Sequence, residues 1–178
     1  MGTRKYSFNF AALALAAALV GMVSLLSFGG PFFNPWGQAP AKQVHALYFP
    51  GDGRIYTAVG EPDAAKRAFK SSGREGALQY GPYAALPPGR YRVTWQGTVQ
   101  GPSRPRFDVV LAGSGVLTES TATLPPNDTP APLHSITFTL AQPTSAAELR
   151  VLVGAGDALT INGVELVALS AAPGVPHE

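Results

Sequence analysis

From residue 44 to residue 170 apolar and polar side chains alternate one for one over short stretches. Tyr91, Val93, Trp95, Gly97 and Val99 share one phase, and Arg92, Thr94, Gln96 and Thr98 share the other. Phe107, Val109 and Leu111 repeat the pattern, as do Ile136, Phe138 and Leu140 against Ser135, Thr137 and Thr139. Leu149, Val151 and Val153 alternate with Arg150 and an apolar Leu152. A period of two with one apolar face predicts strands whose sheet is covered on one side. Turn clusters separate the strands: Gly51-Asp52-Gly53, Pro87-Pro88-Gly89, Gly113-Ser114-Gly115, Pro125-Pro126-Asn127-Asp128 and Gly154-Ala155-Gly156-Asp157. Several short strands at this spacing predict an antiparallel β-sandwich. Two segments depart from the alternation. Asp63 to Ser71, following Pro62, carries helix formers behind an acidic start and predicts one or two helical turns. At Ile161-Asn162-Gly163-Val164 the apolar phase shifts, which predicts a tight hairpin turn or a bulge.

The first 43 residues follow another rule. Residues 8–28 hold no charge over 21 positions. As a helix they would extend about 31 Å, the thickness of a bilayer core. Arg4 and Lys5 precede the run and no basic residue follows until Lys42. The positive-inside rule then predicts a cytoplasmic N-terminus (residues 1–7), a transmembrane helix (8–28) and an exported C-terminal part. A cleaved signal peptide is the alternative. It calls for a shorter apolar run and a nearby small-x-small site, whereas Ala39-Pro40-Ala41 lies well past the apolar end with a proline at its centre. Residues 29–43 form a Pro/Gly/aromatic linker in which Phe32, Phe33 and Trp36 directly follow the apolar run. Rings so placed suit the headgroup layer or the flank of a neighbouring membrane subunit. The sandwich is expected over residues 44–170 and a loose tail over 171–178.

Composition narrows the function more than the fold. The chain has 178 residues, 46% of them hydrophobic and only 13% charged, which excludes a disordered polar chain. Cysteine is absent, so disulfides, thiolate metal sites and a cysteine nucleophile are excluded together. Beyond residue 30 there are 11 basic and 11 acidic side chains, so the isoelectric point near 9.0 owes much to Arg4 and Lys5. Arg90, Arg92, Arg104 and Arg106 cluster in sequence, but alternation puts them on solvent faces, and no nucleic-acid partner is expected.

No reaction centre is legible. Ala112-Gly113-Ser114-Gly115 lacks the frame of a nucleophile elbow and sits between strands, as a hairpin turn does. His45, His134 and His177 are far apart and read as surface or satisfied histidines. Asp52, Asp128 and Asp157 are loop acids that serve turns more simply than they serve a calcium ion. No cofactor is expected. Trp95 is in phase with the core. Tyr48, Tyr56, Tyr80 and Tyr83 lie near strand ends or turns, where a ring can stay exposed to stack on a sugar.

The run from Gly76 to Val99, with Gly81-Pro82-Tyr83, then Leu86-Pro87-Pro88-Gly89, then Tyr91-Arg92-Val93, resembles the entry strands of galactose-binding-like jelly rolls, the fold of many carbohydrate-binding modules. Phe107-Asp108-Val109, Ile136 to Leu140, Glu148 to Val151 and Leu159 to Leu166 follow in the same order, so the resemblance covers roughly residues 50–169. It implies a jelly roll of the kind appended to bacterial envelope proteins, which places the chain in an inner membrane with its domain in the periplasm. It assigns no binding residue. Two readings follow. In the first, the chain is a non-enzymatic single-pass subunit whose helix contacts lipid and neighbouring subunits and whose sandwich is a scaffold within a membrane assembly. In the second, it is a membrane-tethered carbohydrate-binding module with a glycan as partner.

Overall fold

A computed structural model describes residues 45–171. The expected membrane helix, the linker with Phe32, Phe33 and Trp36, and the tail lie outside the described residues. The described chain is built from eleven strands: β1 (His45–Tyr48), β2 (Gly60–Asp63), β3 (Ala68–Ser71), β4 (Gly76–Gln79), β5 (Pro82–Leu86), β6 (Gly89–Val99), β7 (Arg106–Leu111), β8 (Gly115–Thr121), β9 (Asn127–Leu140), β10 (Thr144–Val153) and β11 (Leu159–Ala171). They form two antiparallel sheets. The first has the order β2-β3-β11-β6-β9, with β1 paired to β11 beyond β3. The second has the order β4-β10-β7-β8, with β5 paired to β10 next to β4.

Alternation decides which side chains meet between the sheets. Tyr91, Val93, Trp95 and Val99 of β6 are buried, as are Ile136, Phe138 and Leu140 of β9. Phe107 and Val109 of β7 and Leu149, Val151 and Val153 of β10 meet them from the second sheet. The rings of Trp95 and Phe107 lie 5.1 Å apart across the interior, and Tyr91 stacks on Phe138 at 5.4 Å. Gln79 is a fully buried polar side chain at the centre of this interior. Trp95 Nε1 donates to Gln79 Oε1 at 3.1 Å, and Gln79 Nε2 donates to the Leu149 carbonyl at 2.8 Å. Gln79 thereby satisfies the indole that the core would otherwise strand without a partner.

The phase shift near residue 162 is a bulge. Ile161 pairs with Gly97 and Gly163 with Gln96, which leaves Asn162 as the extra residue. Ile161 and Val164 are three positions apart yet both fully buried, which an unbroken period of two forbids. The helix expected from Asp63 to Ser71 does not form. Asp63 closes β2, Ala64 to Arg67 make a turn, and Ala68 opens β3, so the segment is a hairpin. Asp63 Oδ1 accepts the Lys66 N–H at 3.1 Å, and the acid read as a helix start is a turn former. Nine residues are too few to nucleate a helix by propensity alone, and pairing Phe69 and Lys70 with β11 buries Phe69 in the core.

His134 is half-buried rather than satisfied. It lies opposite Trp95, its ring stacks on Phe107 at 4.8 Å, and its Nε2 is buried without a hydrogen-bond partner. Desolvation holds its pKa below the usual value near 6.5. The unfolded chain therefore takes up this proton at a higher pH than the folded one. Stability is full above about pH 6.5 and is lost as pH falls through the depressed folded value. A series of urea titrations from pH 7.5 to pH 5 is expected to show this loss, and His134→Phe is expected to remove that component.

Candidate functional site

The outer face of the second sheet gathers the exposed aromatic rings. Tyr56 lies in the segment entering β2 and pairs with Tyr80 by two backbone hydrogen bonds, Tyr56 N–H to Tyr80 O at 2.9 Å and Tyr80 N–H to Tyr56 O at 3.0 Å. Residues directly opposite in such a pair project to the same face, and the two rings sit 5.7 Å apart. The Tyr56 hydroxyl donates to the Gly53 carbonyl at 2.5 Å, which fixes the ring from its far end. Tyr80 is half-buried, and its contact with the Tyr56 ring places it at this face.

Gly81 makes the sharp corner that follows. Its φ is +100°, and a Cβ there would lie 2.4 Å from the Arg54 carbonyl oxygen, so glycine is required. Its own carbonyl accepts the Leu149 N–H at 2.6 Å and ties the corner to β10. Tyr83 then adopts φ +60°, a left-handed conformation that costs a non-glycine residue on the order of 1–2 kcal/mol. The ring it presents is 49% exposed, beside Tyr56 at 42%. Strain of this kind persists where the surroundings hold it, and it concentrates at binding surfaces.

Charged groups from β7 and β10 flank the rings. Glu148 and Arg150 alternate with the buried Ala147, Leu149 and Val151, so both face outward. Glu148 pairs with Pro82 across the strands and lines a shallow depression of ≈ 350 Å³ together with Tyr83, Val110, Leu111, Ala112 and Ala146. That volume fits one or two sugar rings and falls at the small end of ligand sites. Desolvation first, and then the adjacent Glu148 carboxylate, raise the Tyr83 phenol above its ordinary pKa. Tyr83 is thus a neutral hydroxyl at physiological pH.

Arg150 is held by Asp108. Its Nε and Nη2 each donate to one carboxylate oxygen of Asp108 at 2.8 Å, a two-pronged pair that raises the Arg150 pKa. Asp108 is fully buried although it points to the outer face, because Arg150 covers it and Arg106 approaches to 3.9 Å. Arg106 also reaches Glu119 at 3.8 Å.

The four tyrosines expected as ligand aromatics therefore separate. Tyr56, Tyr80 and Tyr83 come together on one face. Tyr48 does not join them, because the four-residue β1 turns it inward to 6% exposure and the Arg54 guanidinium covers its ring at 4.7 Å. Glu148, Arg150 and Asp108 were not singled out from the sequence, although a charge inside each alternating run signals an outward position. Of the three acids expected in loops, Asp52 and Asp157 serve turns, whereas Asp128 lies in β9, which begins at Asn127. Asp52 accepts the N–H groups of Phe49 and Arg54 and pairs with the Arg54 guanidinium. Desolvation opposes these contacts, yet they hold its carboxyl below the ordinary range. Asp157 accepts the N–H groups of Gly154 and Arg104. His45 pairs with Glu165 at 2.7 Å on the surface. Among the described residues no three His, Asp or Glu side chains converge as a metal ion would need.

No family model matches this chain, and no curated protein matches it. Solved structures do. The CBM35 domain of Abf62 from Cellvibrio japonicus superposes with a TM-score of 0.55 at 16% identity, over 74% of this chain and 100% of that one. The shared fold is the jelly-roll β-sandwich. The C-terminal CBM6 of the laminarinase LamC from Zobellia galactanivorans aligns at a TM-score of 0.47 and 17% identity, over 70% of this chain and 99% of its own. The CBM6cm-2 module of Cellvibrio mixtus lichenase 5A, solved with cellotriose, aligns at 0.48 and 13% identity, over 68% and 95%. The jelly roll implied by the Gly76–Val99 resemblance is thus present. At these identities the likeness concerns the fold, and the ligand has to be argued from the side chains.

Proposed function

We propose that this chain is a carbohydrate-binding module tethered to a membrane, exported from the cytoplasm and without catalytic activity of its own. The observation that carries the reading is the juxtaposition of Tyr56, Tyr80 and Tyr83 on the outside of the second sheet, beside the depression edged by Glu148. Sugar rings have apolar C–H faces that stack on aromatic rings, and hydroxyl groups that need hydrogen-bond partners at the edge. The tyrosines supply the first. The phenol of Tyr83 and the carboxylate of Glu148 supply the second. The Asp108–Arg150 pair stiffens the strands beneath. The uncharged run at residues 8–28 supplies the tether. Of the two readings open from the sequence, this geometry favours the glycan partner over a scaffolding role, since a scaffold has no use for an exposed tyrosine held in a left-handed conformation, as Tyr83 is.

Affinity gel electrophoresis of the detergent-solubilised full chain, run against a panel of soluble polysaccharides, tests this. At least one glycan is expected to retard the protein. Tyr83→Ala is expected to weaken that retardation by a factor of about ten or more, since an aromatic stacking contact contributes on the order of 1–1.5 kcal/mol beyond the area it buries. Retardation unchanged in Tyr83→Ala, or absent with every glycan, would remove the proposal.

A further inference from the structure

The charge balance of the tyrosine face points to the kind of sugar it takes. Asp108 and Glu148 bring two negative charges and Arg150 brings one positive charge. Adding Arg106 and Glu119 contributes one of each and leaves the balance at one excess carboxylate. Arg150 is engaged through two of its nitrogens by Asp108. Glu148 forms no ion pair with any described residue, and it borders the depression beside Tyr83. Three electron-rich phenol rings stand on the same face.

Arg150 is near enough for its charge to be felt at Glu148, but Asp108 already engages it; a carboxylate outside any ion pair and next to aromatic faces attracts an organic ammonium, since the charge meets the carboxylate and the ring quadrupoles add to the attraction. A carboxylated or sulfated sugar would instead be repelled by Glu148 and find Arg150 already taken. We infer that the Tyr56–Tyr80–Tyr83 face, with Glu148, prefers a glycan carrying a primary ammonium, that is, a deacetylated amino-sugar unit. This rests on the glycan-binding reading and specifies its ligand.

Calorimetric titration of the full chain in detergent, near neutral pH and at low salt, separates the two claims. The probes are a fully deacetylated chito-oligosaccharide, its fully N-acetylated counterpart, a cello-oligosaccharide and an oligogalacturonate. The deacetylated oligosaccharide is expected to bind on the order of tenfold more tightly than either neutral one, with the oligogalacturonate weakest. The preference is expected to shrink in 0.5 M salt, where a partly exposed charge pair is screened. It is also expected to collapse in Glu148→Gln, which keeps the side-chain shape and removes the charge, with thermal melting confirming that the variant is folded. Equal binding of deacetylated and neutral sugars, abolished by Tyr83→Ala, overturns the amino-sugar preference and leaves the glycan-binding reading standing. A preference that persists in Glu148→Gln overturns the assignment to that carboxylate. Saturable binding of none of the four overturns both.

Discussion

Gly97→Ala is expected to prevent the sandwich from folding. Gly97 lies on β6 at the centre of the first sheet, opposite Ile161 of β11. A Cβ at residue 97 would stand 1.9 Å from the Thr160 carbonyl oxygen and 3.0 Å from Leu133 Cδ1. The first of these is backbone of the neighbouring strand, so no rotamer change relieves it. β6 and β11 would have to part beside the bulge that seats Ile161 and Val164 in the core. The cost belongs with the exceptional point substitutions, above about 4 kcal/mol, against a total stability of roughly 5–15 kcal/mol for a typical domain. Gly101→Ala is the control, because the nearest atom to its Cβ would be 3.9 Å away. Chemical denaturation is expected to show Gly101→Ala within about 0.5 kcal/mol of the parent and Gly97→Ala without a cooperative transition. A Gly97→Ala chain that unfolds cooperatively near the parent midpoint would show that β6 and β11 do not approach as described.

Arg150→Ala is expected to cost about 3 kcal/mol. Its removal takes away the side chain that both covers Asp108 and donates to its two oxygens, and leaves the carboxylate with only Arg106 at 3.9 Å. The penalty is the loss of two charge-assisted hydrogen bonds and of the packing of the Arg150 stem, offset in part by the water that can then reach Asp108. The distant Arg106 keeps the loss at the lower end of the range for buried pairs. Arg150→Lys keeps the charge but cannot match both carboxylate oxygens from a single nitrogen, and an intermediate loss of about 1–2 kcal/mol is expected. Urea midpoints at neutral pH read all three proteins. A loss below about 0.5 kcal/mol for Arg150→Ala would mean that Asp108 reaches water and that the network beneath the tyrosines is slack.

The sequence pattern made the two-sheet core legible because burial on one face imposes a period of two that nothing else in the chain mimics. Trp95, Tyr91 and Phe107 are inward because they share a phase with valines and leucines. The phase slip at Asn162 was visible for the same reason, although the sequence left a hairpin turn and a bulge both open. The Asp63–Ser71 hairpin was not visible, since its composition favours a helix and only the distant β11 edge, which pairs with Phe69 and Lys70, decides otherwise. Short strands were the other weakness. β1 is four residues long, too few to show a phase, so Tyr48 at its end could be taken for a surface ring.

The site was half legible for a related cause. A tyrosine beside a turn signals exposure, and Tyr80-Gly81-Pro82-Tyr83 carries that signal within four residues. That Tyr56 joins them depends on a backbone pairing between residues 24 positions apart, which no local pattern encodes. Glu148 and Arg150 announce outward positions in the alternation of β10, and Asp108 does so in β7. Their meeting depends on the register of β10 against β7, where Arg150 is the direct partner of Asp108.

The glycan-binding claim is tested most directly by watching the tyrosines themselves. The full chain holds six tyrosines. With their rings isotopically labelled, and the protein in detergent micelles, a titration with the glycan that retards it in affinity gels reports each ring separately by NMR. Saturable shifts confined to Tyr56, Tyr80 and Tyr83, with the buried Tyr48 and Tyr91 unmoved, are the predicted result. Shifts that saturate at other residues while those three rings stay still would contradict it.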